Sequence, residues 1–272
     1  MLSWLRRIAN GDILFSFRSS PVAIVAAVVA CVLLIGAVFA PWLAPHRPFD
    51  LATLDLNESL LPPAWIAEGI PKYLLGTDDQ GRDVLSAIMY GARISLLVGV
   101  ASVVLAMTLG VGLGLLSGYL GGKLDAFIMR VADVQLSFPA ILIALLIDGA
   151  ARAALPRDAH DGSLALVVLV GSIGLANWVQ YARTVRGSTL VEKNREYVQA
   201  ARVIGVRQRT IMARHVLPNV LGPVLVIATI NVATAIITEA TLSFLGVGVP
   251  PTSPSLGTMI NTGNNFLFSG EW

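Results

Sequence analysis

ISLLVGVASVVLAMTLGVGLGLLS, residues Ile94 to Ser117, contains no charged residue. The hydrocarbon core of a bilayer is about 30 Å thick and takes about 20 mostly apolar residues to cross as a helix, so this stretch reads as a membrane span. Backbone groups in hydrocarbon must be satisfied within the chain, and a single apolar run achieves that only as an α-helix. Four further stretches follow the same rule: Val22 to Ala40, Ala126 to Ile147, Leu164 to Val179 and Val220 to Ala240. The third of the five is the least pure, with Arg130 and Asp133 in its first turns and Pro139 inside it. The expected fold is an all-α membrane protein, a polytopic bundle of five transmembrane helices.

Composition points the same way. Of 272 residues, 55% are hydrophobic and 13% charged, where an ordinary soluble domain carries about 25% charged residues. These values exclude a disordered chain, and a lone cysteine excludes an internal disulfide framework. Nineteen basic against 17 acidic residues leave a net charge of +2, which gives no global basic surface for nucleic acid. Arg6, Arg7 and Arg18 before the first span, with the small Val38 and Ala40 near its end, resemble a secretory signal. The run is longer than a signal core and Pro41 would follow the cut directly, so a retained anchor is the better reading.

Lys and Arg in connecting segments tend to stay on the cytoplasmic side. With the N-terminus inside, the cytoplasmic segments hold 13 of the 19 basic residues: three before the first span, Lys123 and Arg130, and eight from Arg183 to Arg214. Residues 1–21 are then a cytoplasmic segment, 22–40 the first helix, and 41–93 an outside loop with seven acidic and four basic residues. Residues 94–272 form the main transmembrane domain, with helices near 94–117, 126–147, 164–179 and 220–240 and a cytoplasmic loop over 183–218. Ala106, Gly110, Gly114 and Gly118 recur every fourth residue, a bare helix face that lets a neighbouring backbone approach closely. A nucleotide-binding glycine loop would need a preceding strand and a different spacing.

The loop 183–218 is too long for a turn and is patterned like a helix pair. Tyr197, Ala200, Ala201 and Ile204 share one helix face. Gly205 suits the left-handed position just past a helix end, and Ile211, Met212, His215 and Val216 begin a second short apolar face that Pro218 is expected to terminate. Composition alone makes an amphipathic pair lying on anionic lipid as good a reading as a protein contact.

Gln199-Ala200-Ala201, Gly205 and Leu217-Pro218 resemble the EAA loop of ATP-binding-cassette importer permeases, with Gln199 in the usual Glu slot and His215 in the usual Ile slot. Three more segments are similar to the dipeptide and oligopeptide branch of that family, which includes nickel and glutathione permeases. They are Leu75-Gly76-Thr77-Asp78-Asp79-Gln80-Gly81-Arg82-Asp83-Val84-Leu85-Ser86 with Tyr90-Gly91-Ala92-Arg93, Gly118-Tyr119-Leu120-Gly121-Gly122 with Asp125, Met129, Arg130 and Asp133, and Leu242-Ser243-Phe244-Leu245-Gly246 with Pro250-Pro251. The resemblance implies a type-1 importer fold in a bacterial inner membrane, with 41–93 periplasmic. It also implies that the loop is a coupling segment, carried by Glu196, Tyr197, Gln199, Ala200, Ala201, Gly205, Leu217 and Pro218, which docks on a separate ATPase. The partners it implies are a second similar permease, two ATP-binding subunits, a periplasmic solute-binding protein and membrane lipid, with ATP and magnesium held by the ATPase rather than by this chain. Members of the branch usually carry a sixth membrane helix after the segment matching Ser255 to Trp272, which raises the alternative of a truncated, non-transporting subunit.

Catalytic chemistry has little to stand on. No phosphate-binding G-x-x-x-x-G-K-[ST] motif occurs. His46, His160 and His215 lack metal-ligand spacing, Cys31 sits in an apolar helix with no basic neighbour and reads as packing, and no nucleophile cluster is evident, which argues against a membrane-embedded enzyme. Ionisable and amide groups at membrane depth remain. Glu239, with Asn231 and Thr238, is a candidate lining of the transport pathway, although its place near a helix end also suits a carboxylate that reaches water. Arg130 and Asp133 read as an inner-boundary pair, and Asn177 and Gln180 as donors between helices.

Overall fold

A computed structural model describes residues 17–50, 54–154, 162–248 and 255–269. Arg6, Arg7, Arg157, His160, Pro250 and Pro251 lie outside the described residues. The chain divides at Arg93 and Ile94 into two compact units, and the described residues are helical apart from loops and one isolated bridge, Thr77 with Asp83.

In the first unit α1 (Pro21–Val38) starts where the Ser20 hydroxyl accepts from the Ala23 N–H at 3.4 Å and Pro21 presets the first turn. Its only buried residue is Ala37, so its apolar surface, Cys31 included, faces away from this chain. The expectation that Cys31 is packed is thus corrected. A short helix α2 (Ala40–Leu43) leads into the loop. Glu58 organises that loop: Lys72 donates to its carboxylate at 2.7 Å, Tyr73 donates to the same oxygen, and the Thr77 hydroxyl donates to the Glu58 carbonyl at 2.5 Å. The Lys72 and Tyr73 hydrogen bonds hold the Glu58 carboxyl below its usual range, and burial together with Glu58 holds the Tyr73 phenol above its own. Asp78 ties Arg82 through its backbone and side chain, and Asp83 accepts from the Ser86 N–H at 3.0 Å, capping the next helix. The polar run 77–83 is therefore a helix-starting turn, and the loop is shorter than 41–93.

Helix α3 (Val84–Leu120) has 37 residues, about 55 Å at 1.5 Å per residue, so it overshoots the bilayer core. The second unit holds the remaining helices: α4 (Gly122–Leu136), α5 (Ala140–Ala154), α6 (Gly162–Glu192), α7 (Glu196–Val203), α8 (Leu217–Phe244) and α9 (Leu256–Phe266). Central α6 packs against α4, α5 and α8, and α9 packs on α8.

The four-residue glycine repeat does what its spacing suggested. A Cβ at Gly110 would lie 2.5 Å from the Trp178 carbonyl oxygen, at Gly114 2.4 Å from that of Ala182, and at Gly118 2.8 Å from the Thr189 side chain. α3 and α6 thus touch backbone to backbone, which any side chain would prevent.

Two expectations are corrected. The stretch 126–147 is not one straight span: α4 and α5 meet at 99° around Ser137–Pro139. Pro139 lacks an N–H and its ring would strike the carbonyl four residues earlier, while Phe138 before it is pushed out of the helical region. Four helices are long and apolar enough to cross a membrane, or five if the bent pair counts as one. Nor does Pro218 end a helix. It lies in the first turn of α8, which follows Gln208–Thr210 and a π-helical stretch Ile211–Val216. The Leu217 N–H bonds to Met212, five residues back, and this wider turn gives room for the proline ring.

Candidate functional site

Helix α6 runs ten residues past Ala182 to Glu192, so the first part of the loop 183–218 is helix. α7 follows after a short turn. Its end is closed by a paired motif: the Gly205 N–H bonds to Arg202 and the Val206 N–H to Ala201, both at 3.0 Å, with Gly205 at φ +79°. This is the left-handed glycine stop expected at that position.

The buried face of α7 differs from the expected one. Val198 and Ala201 are buried and join the core with Ile211 and Val216, whereas Tyr197, Ala200 and Ile204 are exposed together with Glu196 and Gln199. The i, i+3, i+4 rule fitted two overlapping faces, and only tertiary contact distinguishes them. Val203 and Ile204 are 87% and 78% exposed, leaving an apolar tip with no partner in this chain's core.

Tyr197 fastens α7 to both neighbouring helices. Its hydroxyl donates to Glu192 at the end of α6 and accepts from the Asn219 amide at 2.8 Å in α8, and Asn219 also donates to the His215 carbonyl at 2.8 Å. Burial of the hydroxyl, and then the Glu192 carboxylate, raise the Tyr197 pKa, so the phenol stays a donor. Gln199 donates to the Asn194 carbonyl at 3.1 Å, and Arg202 stacks 5.0 Å from the Tyr119 ring. Leu217 is half-buried against the core, while Pro218 is exposed.

The ends of α3, α4 and α6 are clamped above this segment. Arg186 donates to both Asp125 oxygens, at 2.5 and 2.7 Å, the Ser117 hydroxyl donates to Asp125, and Lys193 donates to the Gly118 carbonyl at 2.7 Å.

Asn231 and Glu239 lie two turns apart on the buried face of α8. Glu239 is fully buried, its Oε1 accepting from Ser243 at 2.7 Å, so the expectation that it reaches water near a helix end is corrected. Thr238 is on another face, donating to Thr234. Arg130 and Asp133 are exposed, and no ion pair joins them among the described residues. Asn177 donates within its own helix, to Ile173 at 2.9 Å, and Gln180 is exposed. No group of His, Cys or acidic residues able to hold a metal occurs among the described residues.

Residues 110–270, which span the glycine seam, the bent pair, α7 and α8, match the family described as binding-protein-dependent transport system inner membrane component. The chain belongs to that family. Residues 11–63 of this permease subunit match the N-terminal transmembrane domain of oligopeptide transport permease C. The permease is 40% identical to the dipeptide transport system permease protein DppC of Escherichia coli (strain K12) over 257 residues, covering 94% of this chain and 81% of that one. It is 37% identical to DppC of Haemophilus influenzae over 95% of this chain and 83% of the relative. With the oligopeptide transport system permease protein OppC of Bacillus subtilis (strain 168) it shares 36% identity, over 96% and 79% respectively. The permease therefore has the type-1 importer membrane fold and is an integral inner membrane protein.

Two features of the permease escaped sequence reasoning. Gln135, rather than Asn177, bridges α4 and α6: it donates to the Leu175 and Ala176 carbonyls and accepts from the Trp178 indole at 2.9 Å. Gln135 could have been flagged as an amide just before the Pro139 break, where carbonyls and donors are left over. Asp148, fully buried, pairs with Arg152 at 2.6 Å, and Arg152 also donates to the Gly248 carbonyl at 2.7 Å. Their four-residue spacing was the available signal.

Proposed function

We propose that this permease is one of two membrane subunits of an importer for short peptides, moving them inward by alternating access that separate ATPases drive. The observation that carries this reading is α7: a short helix closed by Gly205, fastened by Tyr197 to α6 and α8, with Val203 and Ile204 exposed at its tip. An apolar helix tip on a rigid mount is suited to lodge in a groove of a partner. The partner is an ATP-binding subunit that holds ATP and magnesium, and closure of its groove pushes α7 and, through the Asn219 and Glu192 bonds, α8 and α6. The eight basic residues of 183–214 favour a cytoplasmic position for this segment, which puts the N-terminus inside and the Glu58-centred loop outside, toward a peptide-delivering binding protein. The peptide substrate is supported by the names of the relatives, dipeptide and oligopeptide permeases. Glutathione and nickel complexes are the competing cargoes of the same branch.

The test is ATP-driven uptake of a labelled dipeptide into liposomes holding this permease, its companion permease and two ATPases, supplied with the binding protein. Gly205→Val is expected to cut uptake at least tenfold while the complex still assembles. Uptake at the unaltered rate in Gly205→Val, or uptake of nickel or glutathione in place of dipeptide, would contradict the reading.

A further inference from the structure

Ser102 on α3, Tyr181 on α6 and Asn231 on α8 converge on one narrow void in the bundle, alongside Asn177. They are 1%, 0% and 6% exposed, yet Ser102 Oγ, Tyr181 Oη and Asn231 Nδ2 have no hydrogen-bond partner among the described residues. A buried polar group without a partner costs free energy, and native structures retain few. A bridging water is the ordinary remedy, but a water-sized sphere does not fit in this void. No neighbouring subunit reaches atoms enclosed within one chain's own helices unless those helices move.

The three side chains have matching chemistry. A carboxamide both donates and accepts, so Asn231 can accept from the Tyr181 hydroxyl through Oδ1 while donating from Nδ2 to Ser102. Asn231 and Tyr181 line the same void, but no bond of acceptable geometry joins them. The walls of the void are unequally free. α3 and α6 are locked beside it at Gly110, where a Cβ would meet Trp178 and Tyr181 at 2.5 Å. α8 instead runs on from the π-helical stretch Ile211–Val216 and the Tyr197 fastening of α7, so a push on α7 tilts α8 against a fixed pair.

We propose that Ser102, Tyr181 and Asn231 form a state-dependent hydrogen-bond lock, open in this conformation and closed when the drive on α7 tilts α8. The lock rests on the transporter reading above and deepens it. It makes all three positioning residues for the transport cycle: the open lock penalises this conformation, and the closed lock holds the other. Tyr181 belongs to it although it lies outside the coupling segment.

The experiment compares melting temperatures of the assembled complex in lipid, once free of nucleotide and once trapped with ATP and vanadate. Tyr181→Phe is expected to leave the nucleotide-free value unchanged or raised, because an orphaned hydroxyl has gone, and to lower the trapped value by several degrees. Asn231→Leu is expected to lower the trapped value as much as the combined Tyr181→Phe and Ser102→Ala, because one amide makes both bonds. Equal falls in both states would overturn the lock and assign the trio a fixed structural role, and no change in either state would overturn it too. Dipeptide uptake by the unaltered complex is measured alongside. Its absence counts against the peptide reading, whereas the lock is judged on the difference between the two melting temperatures.

Discussion

Where α3, α4 and α6 end or begin together, Asp125 receives two bonds from Arg186 and one from Ser117, and beyond the bend Asp148 is held by Arg152. Ser102, Tyr181 and Asn231, around one void in the bundle, are unbonded. Both ion pairs are bonded through each carboxylate oxygen, whereas the neutral trio is unbonded and the buried Glu239 has a partner, Ser243, on one oxygen only. A transporter needs stiff ends that carry force and a centre with two arrangements of similar free energy. On the proposed coupling role of α7, this contrast places rigidity where force would enter rather than where burial is deepest.

The largest expected effect comes from breaking the deepest ion pair. Arg152→Ala leaves the enclosed Asp148 carboxyl without its partner, and should cost about 3–5 kcal/mol of stability in denaturant unfolding of the purified permease. Replacing both, with Asp148→Asn and Arg152→Met, should recover most of that loss. Next, Arg186→Ala removes a two-pronged charge-assisted contact and should cost about 2–3 kcal/mol by the same measurement. If either variant were as mild as Tyr181→Phe, the ends would be no stiffer than the centre. Gly205→Val forces a β-branched residue into a left-handed conformation, for about 1–2 kcal/mol. Because nothing lies within 4 Å of a Cβ there, the loss should appear as fraying of α7 in hydrogen exchange rather than as global unfolding.

The smallest effect belongs to the loop between α2 and α3, where Glu58 is half-buried. Its folded pKa is lowered from 4.5 by the hydrogen bonds from Lys72 and Tyr73. A lowered carboxylate stabilises the fold above its unfolded pKa, and that contribution disappears as pH falls through the folded value. The protection factors of the Leu61 and Thr77 amides should therefore fall below about pH 4, and Glu58→Gln should remove that pH-dependent loss of protection. An unaltered profile in that variant would remove Glu58 from the centre of the loop.

Much of this frame was legible in the residues themselves. Uncharged runs such as Ile94–Ser117 declare spans because only a helix satisfies its own backbone in hydrocarbon, and the glycine seam declares a close approach because nothing else fits. Gly205 marked the end of α7 for the same steric reason. What could not be read depends on partners distant in sequence. Tyr197 and Ala201 lie on overlapping faces of α7, and burial chose Val198 with Ala201 because Ile211 and Val216 lie against them. Pro218 reads as a stop in sequence, yet the wider turn before it absorbs the ring. Glu239 looked able to reach water, but the packing of α8 encloses it. The orphaned trio comes from three helices, and no local pattern links positions 102, 181 and 231.

The central claim is that α7 faces the cytoplasm and plugs into an ATPase. A photo-crosslinking residue at Val203, in the assembled complex in native membrane, tests it most directly, with the buried Val198 as the comparison site. The account predicts an adduct with the ATP-binding subunit from position 203 and none from 198. A Val203→Cys side chain labelled by a membrane-impermeant reagent from outside the cell, with no ATPase adduct, would contradict it.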